Sequence, residues 1–250
     1  MLSQFSDQVE SFYNQPYPLK SSYNPVIPLN VFQTWGTKDL PPKMKANLED
    51  MKRQNPEFTY FLFDDDECRE FIKINFEPEV LKAYDGLIPG AFKADLWRLC
   101  VLYIHGGIYM DIKFKCVNNF KLMELTESEH YIKDRSGFLS IYNAMMVCKS
   151  KNPFLMEAIK RIVHNVQTKW YGKSSLHPTG PAMLGDLILE KQFELQIDMF
   201  YEMIGNHIVY NHHFVLEVSY PGYRREQSEF YKSKNTNHYG DLWRLKKVYW

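Results

Sequence analysis

An α/β domain with a largely parallel sheet is the fold this chain predicts, and three observations carry that expectation. Strand-like and helix-like runs alternate through the first half, the run Phe92 to Ile104 is apolar almost all round, and a glycine pair, Gly106-Gly107, separates that run from a strand with alternating side chains. In chain order, Pro16, Pro18 and Pro25 break up the first 25 residues, so 1–25 reads as an arm over a single domain spanning 26–250. Val31 to Trp35 suits a first strand. Pro41-Pro42 then leads into a helical pattern from Lys43 to Gln54, which ends near Asn55-Pro56. Phe58 to Phe63 is a second strand, and Asp64-Asp65-Asp66 meets the helical CREFIKINF. Those acidic residues are either a metal cluster or a helix cap, and capping alone explains them. The apolar run Phe92 to Ile104 is a buried helix stopped by the left-handed glycines. In Ile108 to Lys115, Ile108, Met110, Ile112 and Phe114 share one face, taken as core. Tyr109, Asp111, Lys113 and Lys115 share the other, taken as polar. Further on come a strand at Ile141 to Cys148, helices at Pro153 to Trp170 and Pro181 to Ile188, and a strand at His207 to Tyr210.

The composition narrows the function classes. The chain has 250 residues, 45% hydrophobic and 16% aromatic, enough apolar material for one sizeable core. Lysines and arginines number 30 against 30 aspartates and glutamates, so no global field draws the chain to nucleic acid or to an anionic membrane. The opening residues lack the pattern of a signal peptide, and no run is apolar enough to span a bilayer, so a cytoplasmic protein without a transmembrane segment is expected. Cys68, Cys100, Cys116 and Cys148 form no CxxC pair and read as reduced, buried thiols. No GxSxG, HExxH, P-loop or GxGxxG sequence appears.

The stretch from Gly90 to Lys115, GAFKADLWRLCVLYIHGGIYMDIKFK, carries the chemistry. Asp95 and Arg98 are three apart on a buried helix, so they either pair with each other or meet a polar ligand. Asp111 and Lys113 follow the glycine turn, projecting from one side of the strand and spaced along it by roughly 6.5 to 7 Å. In an open α/β sheet the carboxyl ends of the strands are where ligands sit.

The string KADLWRLCVLYIHGGIYMDI resembles the signature of the DXD-motif sugar transferases of glycosyltransferase family 32, which includes initiating mannosyltransferases, capsular polysaccharide transferases and clostridial glucosylating toxins. IPLNVFQTWG with NPEFTYFLFDDD is similar to the opening of that family, and HYGDLWRLKKVYW to its close, so the likeness covers about residues 26–250. The resemblance implies a GT-A fold, a Rossmann-like nucleotide-diphosphosugar transferase domain. It also implies a hexosyltransferase that retains anomeric configuration, moving a sugar from a nucleotide-diphosphate sugar, a UDP-sugar in preference to GDP-mannose, to a glycan or other hydroxyl acceptor.

Carried over by residue, the resemblance implies that Trp35, with Gln33 beside it, stacks on the base. Asp95, Arg98, Tyr109 and Asp111 meet the ribose and sugar. His177-Pro178-Thr179-Gly180-Pro181 resembles a segment facing the acceptor, or else is a rigid turn before a helix. In the closing segment, His238, Asp241 and Trp243 fold over the donor, where Asp241 and the Trp243 indole N–H meet charge developing on the leaving group. The motif departs from its pattern at Lys113, which stands where an aspartate ordinarily ligates manganese or magnesium. A lysine repels that cation and can itself neutralise diphosphate charge. A divalent cation is therefore expected to be dispensable or weakly held, with Asp111 and His238 the two ligands left for it. From Arg224 to Lys247, seven basic residues face three acidic ones, an excess that either attracts the diphosphate or an anionic acceptor, or is a solvated face. Two other readings stay open: a silent nucleotide-sugar-binding protein and a nucleotide-sugar hydrolase.

Overall fold

The computed structural model describes residues 11–135, 139–203 and 205–250. β1 (Asn30–Thr34) and β2 (Thr59–Phe63) pair in parallel, with helix α1 (Pro42–Gln54) connecting them. Helix α2 (Asp65–Asn75) opens in a capping box. The Asp64 carboxylate accepts from the Glu67 N–H at 2.9 Å, while the Glu67 side chain accepts from the Asp64 N–H at 3.0 Å. The acidic triplet thus starts a helix. Helix α3 (Pro78–Gly86), which the sequence pattern did not mark, precedes the long buried α4 (Gly90–His105).

The glycine pair acts as expected. Gly106 caps α4 at φ +64° and Gly107 follows at φ +114°. A side chain at Gly107 would come within 2.7 Å of the Asn30 carbonyl oxygen, so bare backbone is what lets β3 (Gly107–Met110) lie against β1. The strand is shorter than its alternation suggested. It stops at Met110, residues 111–114 turn, and β4 (Lys115–Cys116) pairs with a strand elsewhere in the sheet. Nor is one face of β3 polar, because Tyr109 is as buried as Ile108 and Met110, being covered by α4.

The second half supplies β5 (His130–Lys133), β6 (Ile141–Cys148), α5 (Pro153–Gln167), α6 (Pro181–Lys191), β7 (Ile197–Glu202), β8 (His207–Tyr210), β9 (His213–Glu217), α7 (Tyr223–Ser233) and α8 (Tyr239–Arg244). The nine strands of the described residues form one sheet in the order β2-β1-β3-β6-β5-β7-β8-β9-β4. Only β1/β2, β1/β3 and β5/β7 pair in parallel, and the other five pairings are antiparallel. The sheet is therefore mixed, a correction to the largely parallel expectation. Helical crossovers dominate the first half alone, and β6 and the β7–β9 meander run back antiparallel to a neighbour.

Helices α2 to α6 cover one face, against Phe32, Tyr109, Tyr131 and Met146. The opposite face packs Val31, Ile108, Met145 and Val147 with Tyr17, Phe120 and Leu216. Of the segment before β1, residues 1–10 lie outside the described region. The remainder is fastened by Tyr17, buried against Phe120 at 4.9 Å between ring centroids, and by the Ile27 N–H to the Thr126 carbonyl at 2.9 Å. All four cysteines are free and buried. Among the described residues, no helix is long and apolar enough to cross a membrane.

Candidate active site

The turn at 111–114 is the centre of the polar constellation, and it is pinned from three directions. The Asp111 N–H donates to Ala144 O on β6 at 2.8 Å, closing the end of β3. The Asn47 amide of α1 donates to the carbonyls of Ile112 and Phe114 at 3.0 and 2.9 Å. The Tyr220 N–H, just beyond β9, donates to Lys113 O at 3.0 Å. A hydrogen bond from the Phe114 N–H to Asp111 O at 3.2 Å closes the turn itself.

Turning the backbone, rather than extending it, brings Lys113 back onto Asp111. The ammonium sits 2.8 Å from Asp111 Oδ2, in place of the strand spacing expected from sequence. Asp111 Oδ1 accepts from the Tyr109 hydroxyl at 2.8 Å and lies 3.7 Å from Arg98 Nη2. Arg98 in turn reaches Asp95 Oδ1 at 3.2 Å, donates to Asn143 O at 2.5 Å and lies over the Tyr109 ring at 4.4 Å. Asp95 also accepts from Asn143 Nδ2 at 3.0 Å and from the Thr179 hydroxyl at 2.7 Å. The four charged residues marked in the sequence thus form one continuous network.

The electrostatics follow from burial and pairing. Burial pushes the Asp111 carboxyl up, but the Lys113 ammonium and then the Arg98 guanidinium outweigh it and hold the group below its ordinary value. Burial pulls Lys113 down, yet Asp111 dominates, so the group is raised and stays an ammonium at neutral pH. Asp95 goes the other way. Burial raises it against the opposing pull of Arg98, Thr179 and Asn143.

Other expected site residues divide sharply. Gln33 is buried within β1. Trp35, at the end of β1, has its ring 4.8 Å from Phe230 and 6.5 Å from Tyr223 on α7, so α7 packs on the ring expected to take a base; its buried indole N–H has no hydrogen-bond partner among the described residues. Thr179 holds Asp95. A side chain at Gly180 would approach the same carboxylate to 3.2 Å, so this loop is tied to the Asp95 side of the network. His177 is not part of it: its Nδ1 accepts from the Ser174 N–H at 3.1 Å, which orders the loop.

The closing segment departs furthest from expectation. His238 is exposed and caps α8, its Nδ1 accepting from the Gly240 N–H at 3.2 Å. Asp241 pairs with Arg244, and the Trp243 indole N–H donates to Tyr171 O at 2.7 Å, so neither is aimed at a leaving group here. Tyr239 provides the link to the site's helix, its ring 5.6 Å from Phe92.

The residues present do not fit a divalent cation. Asp111 is the one carboxylate of the turn, its Oδ2 is held by an ammonium, and its Oδ1 by a hydroxyl beside a guanidinium. Among the described residues no three His, Cys, Asp or Glu side chains gather in a way that could hold a metal.

Asn143, Tyr142, Tyr223 and Tyr231 were not anticipated, whereas Tyr109 was. Asn143 sits inside the apolar-looking β6, where its side-chain amide donates to Asp95 while its backbone carbonyl accepts from Arg98. Tyr142 borders Lys113 at 5.7 Å. On α7, Tyr223 and Tyr231 are linked through the Gln227 amide, at 2.8 and 3.4 Å, a stripe of three residues spaced four apart that the sequence does show as Y-x3-Q-x3-Y.

Residues 41–135 match the family described as the glycosyltransferase sugar-binding region containing a DXD motif, so the resemblance read from the sequence holds. The chain is 28% identical over 180 residues to inositol phosphoceramide mannosyltransferase 3 of Schizosaccharomyces pombe, covering 71% of this chain and 48% of that protein. It is 38% identical over 96 residues to a glycosyltransferase of Acanthamoeba polyphaga mimivirus, covering 38% of each. The chain spans about half the length, or less, of these curated relatives. Among solved structures, the PaToxG glycosyltransferase superposes with a TM-score of 0.50 at 16% identity, over 76% of this chain and 75% of that one. That likeness shows the fold, the GT-A arrangement.

Proposed function

We propose that this chain, whose residues 41–135 match the glycosyltransferase sugar-binding region containing a DXD motif, moves a sugar from a nucleotide-diphosphate sugar to a hydroxyl acceptor without needing a divalent cation. The observation that carries the reading is the Lys113 ammonium, 2.8 Å from Asp111 at the carboxyl edge of the sheet. A fixed positive charge there does electrostatically what an ion would do, stabilising the diphosphate as it departs. Asp111 meets the donor's sugar or ribose. Asp95, Arg98, Asn143 and Thr179 are positioning residues, since their polar atoms are spent on one another and on Asp111.

Trp35 receives the base once Phe230 moves aside, and UDP is the preferred nucleotide. The bond from the anomeric carbon to the phosphate oxygen breaks as the bond to the acceptor oxygen forms on the same face, and the acceptor's proton passes to the departing phosphate. Configuration is retained, and no carboxylate is assigned as a covalent nucleophile.

Incubating the purified chain with UDP- and GDP-sugars and a glycan acceptor, in manganese and in EDTA, tests this. Transfer should persist in EDTA and fall roughly 10²- to 10³-fold in Lys113→Ala, the cost of losing one charge-stabilising group. Turnover that vanishes in EDTA would sink the lysine assignment. Nucleotide binding without release would make the chain a silent binder, and release without sugar on the acceptor a hydrolase.

A further inference from the structure

A groove of about 580 Å³ opens at the same edge of the sheet, within the size range of ligand sites. Its walls include Lys133, Asp134 and Arg135 from the end of β5 and Asp198, Phe200 and Tyr201 from β7. Strand order places it beside the Asp111 turn. β3, β6, β5 and β7 are successive neighbours, with Met110 opposite Met145, Ile141 opposite Lys133, and Lys133 opposite Phe200. Three strand spacings amount to roughly 14 Å across the sheet, and the three residues of β6 from Ala144, which the Asp111 N–H meets, to Ile141, opposite Lys133, add roughly 10 Å along it. β3, β5 and β7 all present their carboxyl ends here, because β5 pairs parallel with β7 and both β3 and β5 run antiparallel to β6. The two regions also share a wall. Tyr201 packs on Tyr142 at 5.1 Å between ring centroids, and Tyr142 borders the Lys113 ammonium at 5.7 Å.

The charges in the groove are unequally engaged. Asp198 is held by His130 Nδ1 at 2.8 Å and by the Gln196 amide at 2.7 Å, and Asp134 accepts from the Arg135 N–H at 2.8 Å. Lys133 and Arg135 have no carboxylate partner among the described residues. The Arg135 guanidinium lies over the Tyr201 ring, 5.1 Å from its centre, a cation–π contact that uses the ring and leaves N–H donors for a ligand. Lys133 is exposed on the same rim.

We propose that this groove is the acceptor subsite and that it takes a hydroxyl acceptor bearing a phosphate or phosphodiester. Lys133 and Arg135 grip the anion while the hydroxyl faces the Asp111–Lys113 turn. The assignment rests on the sugar-transfer reading above, and its ligand chemistry is shared by free sugar phosphates and lipid headgroups.

Calorimetry of the full chain with glucose 6-phosphate and with methyl α-glucoside, and co-sedimentation with phosphatidylcholine vesicles with and without phosphatidylinositol, distinguish these sources. At least one phosphate probe should bind ten times more tightly than its neutral counterpart. The double variant Lys133→Gln/Arg135→Gln should lose that preference, with the affinity for UDP, measured on the same sample, unchanged as proof of an intact fold. A preference for glucose 6-phosphate assigns a soluble acceptor, and one confined to phosphatidylinositol vesicles assigns a lipid. Equal binding of charged and neutral probes, or an unaltered preference in the double variant, would overturn the subsite. Failure of the wild type to bind UDP or GDP would instead strike the transferase reading and leave the groove measurement standing on its own.

Discussion

Asp111 is a counter-charge shared by two cations, the part-buried Lys113 at 2.8 Å and the buried Arg98 at 3.7 Å. Asp111→Asn keeps the shape but leaves Lys113 and Arg98 short of a counter-charge, and removing one partner of a buried pair costs about 3 kcal/mol. Urea unfolding at neutral pH should show that loss, and sugar transfer should vanish with it. The pH dependence has a definite sign. The folded carboxyl is held below the unfolded value of about 3.9, so its contribution is present above that pH and is lost as the pH falls through the lower folded value. Melting curves of wild type and Asp111→Asn should therefore be well separated at neutral pH and converge in strong acid. A separation unchanged in acid would mean that the carboxylate's charge is not what stabilises the site. The grouping of Asp95, Arg98, Asp111 and Lys113 was legible because a helix spacing of three and a strand-end motif place them independently. Their hydrogen-bonded partner Asn143 was not, because one amide within the apolar run IYNAMMVC leaves no periodic trace.

At the scale of elements, α7 decides access. Phe230 and Tyr223 cover Trp35, and even a methyl group on Gly36 would come within 2.6 Å of the Phe230 ring. A base can stack on Trp35 only after this helix yields, so apparent affinity is reduced by the fraction of molecules in which it is closed. Phe230→Ala should bind UDP roughly tenfold more tightly by calorimetry, and weaker binding would show instead that Phe230 is part of the nucleotide's own wall. A second element offers a cleaner energetic test. The Asp64 capping box satisfies the first N–H groups of α2, and Asp64→Ala should cost about 1 kcal/mol in urea unfolding with transfer unaffected. A loss of activity there would reopen the metal reading of the acidic triplet. The resemblance implies that His238, Asp241 and Trp243 of the closing segment fold over the donor; in the structure His238 caps a short helix and Trp243 is hydrogen-bonded to Tyr171.

For the whole molecule, the first half was readable because α/β crossovers write both periods into the sequence, and the glycine pair punctuates them. The second half was readable only in part: β6, α5, α6 and β8 lie where expected, but β5, β7 and β9 are strands of four to six residues whose pairing is set by partners far along the chain, and local propensity carries little of that information. The same long-range pairing argues for one cooperative unit. β6 sends Met146 into the helical core and Met145 and Val147 into the other, so neither core can melt without exposing the other side of the same strand. The turn at 111–114 strengthens this coupling, since it leads from β3 in the first half to β4 at the far edge, paired with β9. We therefore propose that residues 26–250 unfold as a single domain. Far-UV circular dichroism, which follows all helices and strands, and tryptophan fluorescence, which follows Trp35 and Trp97 in the first half and Trp170, Trp243 and Trp250 in the second, should give one coincident urea midpoint. Two separated midpoints would divide the chain at the antiparallel β3–β6 and β4–β9 pairings, where, among the described residues, early strands meet later ones edge to edge.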